Sequence, residues 1–443
     1  MRIGLVAMSG IRVCDADLLR LGLTLPGFVE RSKAIASLPS LGLLTLGGMT
    51  PADHEVAYLE VPDLREAKGL DEHFDLVGIS SYTAQIGEAY ELADRLRANG
   101  VPTVMGGPHV SYLPEEAAAH CDAVVIGHGE PHWRAVLMDR EAGKLKPRYG
   151  CLQEEYDLRD APMPAFDLLD IGRYNRLTVQ TSRGCPHRCE FCAGSVLFCR
   201  RYVQKPVEKV LAEIDKILTI WKHPFLELAD DNSFVNRDYW LDLLPKLKER
   251  RVRWFTETDI SVGQDDALLE LLRASGCAEV LIGLESPVPE GLDGVEMRSN
   301  WKLRRWSHYR EALTNIQAHG IRVNGCFVLG LDGQGPEIFD RVREFAWEAD
   351  LYDIQITIQT PFPGTPLLRR LREAGRILRD PAWERCTLFD VNFCPRDMTV
   401  EQLEQGFRRL AVELYGEVCT KHRQERFEKC LRRLGRHHGG AMR

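Results

Sequence analysis

Thr181-Ser182-Arg183-Gly184-Cys185-Pro186-His187-Arg188-Cys189-Glu190-Phe191-Cys192 carries three cysteines within eight residues, at C-x3-C-x2-C spacing, directly after a strand-like run from Leu177 to Thr181. Three thiolates that close together on one loop can hold three irons of a cubane iron–sulfur cluster. No fourth cysteine follows at ferredoxin spacing. One iron is left open to a substrate or cofactor, which points to catalysis more than to electron storage. Two blander readings compete. Structural zinc closes a tetrahedron with paired cysteine or Cys/His ligands, and only His187 is at hand. A chance cluster of buried thiols is weaker still, because geometry separates metal sites sharply.

Around that loop lie 443 residues, enough for two or three domains with ample core. Apolar content of 44% and charged content of 28% suit a soluble globular protein. No apolar run approaches the roughly 18 residues of a membrane helix. Met1 to Ser9 is apolar but short, and it reads as a first strand without a signal-peptide cleavage pattern. Thirteen cysteines, an odd number scattered along the chain, argue against a disulfide framework and predict a reducing cytoplasm. A net charge of −8 argues against nucleic acid as substrate.

Upstream of the loop, residues 1–145 alternate strand and helix. Strands are expected at Arg2–Met8, Glu55–Glu60, Phe74–Ser81, Val101–Gly106 and Ala123–Gly127, with helices at Leu41–Gly48, Gly87–Asn99 and Pro114–His120. The third strand is nearly all apolar, as for a parallel strand buried on both faces. This predicts a doubly wound α/β domain, whose ligands sit beyond the carboxyl ends of the strands. At those ends stand Ser80, Ser81 and Thr83, then Gly106, Gly107 and His109, then Gly127, His128, Gly129 and Glu130. Glycine pairs let the backbone approach a phosphate or ring closely. An isolated pair more often only turns the chain, but three consecutive strand ends of one character favour a ligand.

Residues 146–175 read as a linker around Asp160-Ala161-Pro162-Met163-Pro164-Ala165. Between 176 and 375 six strand–helix units predict a partial (β/α)6 barrel, with active-site residues at the C-terminal strand ends. Its rim carries the cysteines first, then Asp230, Asp231 and Asn232, then Asp259, Glu285 and Leu331-Asp332, and last Gln359. Taken singly, such acidic residues are as often solvated loop charges or helix caps. Residues 376–443 read as mostly helical; Leu403, Phe407, Leu410, Leu414 and Val418 repeat as a core-facing stripe. From Thr420 the tail has eight Lys or Arg against two Glu, a pattern that most often marks a solvated helix face.

Cys185, Cys189 and Cys192, with Phe191 before the last cysteine, resemble the signature of radical S-adenosylmethionine (SAM) enzymes. The serines, Gly106-Gly107 and Gly127 to Glu130 resemble the cobalamin-binding domain that precedes many such cores, and Trp383, Phe393, Pro395 and Met398-Thr399 resemble the C-terminal segment of a subgroup that includes hopanoid methylases. The resemblance implies a [4Fe–4S] cluster on the three cysteines, SAM on its open iron, and cobalamin on the first domain. Matching positions imply Glu285 for the ribose and Asp230–Asp231 for the amino end of SAM, with Phe191 and Gln359 also at the cofactor. Asp259 stands where many relatives have arginine and receives no role. The commonest cobalamin domains carry Asp-x-His-x-x-Gly after the first strand; the loop after Met8 here has no histidine, so cobalt is expected to lack one from it. Relatives often show Tyr-Asp at Arg385-Cys386, so substrate contacts there need not carry over.

The implied activity is cobalamin-dependent methylation of an unactivated carbon in a small-molecule or lipid substrate, with flavodoxin or ferredoxin as electron donor. Ring formation or rearrangement on the same scaffold is the runner-up. A methylthiotransferase would need a second three-cysteine set, and only Cys14 and Cys121 precede the linker. A sensor would have little use for an open iron.

Overall fold

Leu76, Val77 and Ile79 are covered on both faces, so β3 (Leu76–Ser81) sits inside a sheet as its apolar run requires. In the computed structural model, which describes residues 1–20, 38–67, 70, 73–194 and 201–437, the first sheet is six-stranded and wholly parallel, in the order β2-β1-β3-β4-β5-β6. The other members are β1 (Arg2–Met8), β2 (Glu55–Glu60), β4 (Thr103–Gly106), β5 (Ala123–Ile126) and β6 (Arg148–Gly150). Alternate residues feed opposite layers. Val6, Val77 and Met105 pack with the helix Ile86–Ala98, whereas Leu5, Leu76 and Val104 pack with Leu43 and Trp133 of the helices Leu41–Met49 and Trp133–Glu141. The expected strands and helices are present with ends shifted by a few residues.

The sixth strand corrects the linker boundary at 146. Arg148, Tyr149 and Gly150 pair with Val124, Val125 and Ile126, so the first sheet continues past residue 145. Three residues with one apolar side chain carry no readable period. What holds them is tertiary: Tyr149 is buried and its hydroxyl donates to Asp139 at 2.9 Å.

The second sheet is the expected open barrel of six parallel strands, in the order β14-β13-β12-β11-β10-β7. They are β7 (Leu177–Val179), β10 (Phe225–Leu228), β11 (Arg253–Thr258), β12 (Cys277–Glu285), β13 (Arg322–Leu329) and β14 (Asp353–Ile358). Strands β7 and β14 stay unpaired with one another, which leaves one side open. Between β7 and the cysteines, β8 (Ser182–Arg183) forms an antiparallel ribbon with β9 (Val203–Gln204).

The C-terminal region is less helical than its sequence predicts. From 376 to 399 the backbone is largely irregular, with one short turn at Trp383–Arg385, before helices Val400–Tyr415 and Glu417–His437. Thr399 and Gln402 form a reciprocal capping box at the first of these. Leu403, Phe407, Leu410 and Leu414 face the core, but Val418 is 81% exposed. The stripe fails there because Gly416 is extended and restarts the helix in a new direction.

The irregular segment joins both domains. Asp390 accepts from the backbone N–H groups of Cys14 and Asp15 (2.9 and 3.1 Å), and the Trp383 indole donates to Glu116 (3.2 Å). Among the described residues no helix is long and apolar enough to cross a membrane.

Candidate active site

Cys185, Cys189 and Cys192 line one end of a cavity of about 310 Å³ at the C-terminal ends of the barrel strands. Their loop is clamped from four directions. Gly184 donates to Asp231 (2.8 Å), Glu190 to the Val295 carbonyl (2.9 Å), and Met297 to the Arg188 carbonyl (3.0 Å). Arg370 grips the Glu190 carboxylate with Nε and Nη2 at 2.9 and 2.6 Å, a bidentate pair. Burial pushes the Cys185 thiol up to about 11 and Cys189 higher still. Thiols in that state become good ligands only beside strong positive charge, which iron would supply. Among the described residues no three His, Cys, Asp or Glu side chains converge as ligands of a single ion must.

Of the two aspartates expected at SAM, only Asp231 reaches the cavity. Asp230 is wholly enclosed and accepts from the backbone of Thr181 (2.7 Å) and Ser182 (2.9 Å), the Ser233 hydroxyl (2.9 Å) and the Thr181 hydroxyl. It fastens the start of the cysteine loop to the end of β10, and that saturation leaves it nothing for a ligand. Asn232 donates to Asp259 (2.8 Å) and to the Cys185 sulfur (3.7 Å).

Asp259, to which no role was assigned, braces this corner. Its carboxylate meets His187 Nε2 at 3.1 Å and takes bonds from Ser261 and Asn232. Burial alone would raise its pKa, but those bonds hold it well below the usual carboxylate range.

Glu285 closes β12 where the pairing with β13 slips by one residue, and its φ is +61°. Backbone in this region costs about 1–3 kcal/mol in a non-glycine residue and tends to mark functional positions. The bulge aims Glu285 into the cavity beside Lys302, whose ammonium donates to Glu285 (2.6 Å) and to the Gly283 carbonyl (2.7 Å). Burial works against the Lys302 charge, yet Glu285 keeps its pKa above the ordinary value. Lys302 was missed: a lysine on a short helix 17 residues on has no local signal. Across the cavity, Gln359 is 1% exposed and, among the described residues, neither atom of its amide has a partner. A buried amide with nothing to bond fits a site built for a polar ligand. Phe191 lines the same cavity.

A second cavity, of about 290 Å³, opens at the strand ends of the first sheet. Ser80, Gly106, Gly107, Gly127, Gly129 and Glu130 line it against apolar walls from Leu43, Leu46 and Trp133. Gly107 has φ +97°, and a Cβ there would stand 2.9 Å from the Ser80 hydroxyl. The cradle is therefore one that side chains would fill, which suits the nucleotide tail of cobalamin. Three expected residues, Ser81, Thr83 and His109, lie outside this lining. Ser81 alternates to the opposite face and donates to the Tyr82 carbonyl (2.9 Å). His109 turns away from Gly107, between Thr83 (3.4 Å) and Glu116 (3.2 Å), edge-on to Trp383. There burial pushes its pKa down.

Arg183 lines this second cavity and stands two residues before Cys185. It donates to Glu130 (2.5 Å) and to His128 Nδ1 (3.1 Å), so one guanidinium ties the glycine cradle to the cysteine loop.

Comparisons with known proteins agree with this division. Residues 32–137 match the B12 binding domain, residues 179–346 the Radical SAM superfamily, and residues 365–442 a domain of unknown function (DUF4070). The bacteriochlorophyllide d C-12(1)-methyltransferase of Chlorobaculum tepidum is 28% identical over 79% of this chain and 77% of its own length. The hopanoid C-2 methylase of Rhodopseudomonas palustris is 26% identical over 78% of this chain and 66% of its own. The radical SAM methyltransferase TsrM from Kitasatospora setae, solved with cobalamin and a [4Fe–4S] cluster bound, shares the fold with a TM-score of 0.63 and 17% identity, over 86% of this chain and 79% of that one. A cysteine loop at the first strand of an open barrel, joined through Arg183 to a glycine-built cavity on the first sheet, thus coincides with the two matched domains: this chain carries a B12 binding domain followed by a Radical SAM domain.

Proposed function

We propose that the enzyme transfers a methyl group from SAM to an unactivated carbon of a small-molecule substrate, and that it works in a reducing cytoplasm with a flavodoxin- or ferredoxin-like electron donor. The observation that carries this reading is the pair of cavities, one at the end of each sheet, linked by Arg183. Methyl transfer is the activity of the relatives that span most of this chain.

A [4Fe–4S] cluster on Cys185, Cys189 and Cys192 would supply one-electron reduction of SAM, and cobalamin in the second cavity would supply a methyl carrier. The chain's own residues bind, orient and shield. Asp231 offers a carboxylate to the SAM ammonium and Glu285 one to the ribose hydroxyls, while the unpartnered Gln359 amide suits adenine. Lys302 holds Glu285 aimed into the cavity. Phe191, Val328, Phe362 and Leu388 wall the cavity and keep water from a reactive radical.

The experiment counts what SAM leaves behind. S-adenosylhomocysteine and 5′-deoxyadenosine should form in equal amounts per methylated product, and a labelled SAM methyl group should reach the product intact. Deoxyadenosine with a rearranged, unlabelled product would overturn methyl transfer in favour of ring formation.

A further inference from the structure

Below the residues assigned to SAM the barrel lumen has a second polar layer. Glu257 on β11, Cys326 on β13 and Gln355 on β14 each precede by two residues a side chain of the upper layer, namely Asp259, Val328 and Thr357. The strand period of two therefore points them into the same cavity, one step toward the N-terminal ends. All three line it, with Leu281, the register partner of Glu257, between them.

This layer presents hydrogen-bond acceptors that no donor among the described residues meets. Glu257 opens to the cavity and makes no hydrogen bond or ion pair among the described residues. Gln355 is 8% exposed and its carbonyl oxygen has no partner among the described residues. Lys302, which lines the same cavity, is committed to Glu285 and the Gly283 carbonyl. Enclosure within the lumen, with the carboxylates of Glu227, Asp231, Asp230 and Glu285, pushes the Glu257 carboxyl up to about 8, although the cavity leaves its surface open to water. An incoming cation would relieve that crowding. An all-hydrocarbon substrate would strip water from these acceptors and return nothing. SAM itself is met by the layer above, at Asp231, Glu285 and Gln359.

We propose that Glu257 and Gln355 form a substrate subsite that takes a cationic nitrogen, so that the methylated compound carries a basic amine or comparable N–H donor near its target carbon. The subsite rests on the reading above that substrate enters this cavity. It excludes a purely hydrocarbon lipid as the natural substrate.

The test uses the full-length protein reconstituted with iron, sulfide and cobalamin, its SAM site filled with S-adenosylhomocysteine. Benzylamine and its neutral isostere ethylbenzene are compared by equilibrium dialysis. Wild-type protein should prefer benzylamine by about tenfold or more, the equivalent of one charge-assisted hydrogen bond. The preference should vanish in Glu257→Gln, persist in part in Glu257→Asp, and fall at least about threefold in Gln355→Leu, which serves if the first variant does not fold. Equal affinity for the two probes, binding of neither, or a preference that survives Glu257→Gln overturns the subsite. An amine preference without label transfer in the counting experiment would refute methyl transfer and leave the subsite standing.

Discussion

Replacing Glu296 with glutamine should loosen the cysteine loop more than any other single change outside the cysteines. Its carboxylate is buried and accepts five hydrogen bonds: from the backbone N–H groups of Arg188 (3.2 Å), Arg298 (3.1 Å), Ser299 (2.8 Å) and Trp301 (3.2 Å), and from the Ser299 hydroxyl (2.9 Å). Arg188 lies between Cys185 and Cys189, and Trp301 precedes Lys302, so one side chain ties the metal loop to the support of Glu285. Burial opposes the charge, but the donors lower the carboxyl from 4.5 to about 2. A shift of that size is worth about 3 kcal/mol at pH 7. Because the folded value is the lower one, the contribution is complete above the unfolded value and is lost as pH falls through about 2. Glu296→Gln should therefore cost about 3 kcal/mol in urea unfolding of the cluster-free protein at pH 7, and roughly half that near pH 3.3. Hydrogen exchange at the amides of Arg188, Ser299 and Trp301 gives a local readout that needs no two-state assumption. A variant within 1 kcal/mol of wild type, with those amides equally protected, refutes the reasoning.

Three further outcomes are expected. Cys189→Ala should drop iron to background and abolish 5′-deoxyadenosine formation while cobalamin still co-elutes on gel filtration. Gly107→Val should weaken cobalamin binding by about 30-fold or more, from backbone strain and the Ser80 contact, and leave the cluster absorbance unchanged. Arg183→Met should cost about 2 kcal/mol by stranding the buried Glu130 carboxylate, and adding Glu130→Gln should recover more than half of that loss in denaturant unfolding.

What the chain states on its own is whatever depends on near neighbours and on period. The three cysteines are legible because one loop holds them at fixed spacing. The strands are legible because apolar runs alternate with amphipathic helices, and parallel strands of that kind put their ligand groups at one end. Both cavities follow, and with them Ser80, Gly107, Asp231, Glu285 and Gln359. Period alone could not separate Asp230 from Asp231, because both end the same strand and only packing against Thr181 and Ser233 turns one inward. Nor could it place His109 against Trp383, find the strand at Tyr149, or see that Gly416 redirects the last helix. Lys302, Asp259, Glu296 and the acceptor layer of Glu257 and Gln355 gain their meaning from partners brought together by closing the sheet, such as Asp259 with His187, 72 residues apart, and Glu296 with Arg188, 108 apart. Local sequence sets the direction a side chain leaves its strand, but a hydrogen bond or an unmet acceptor exists only once the barrel has brought, or failed to bring, a partner within about 3 Å.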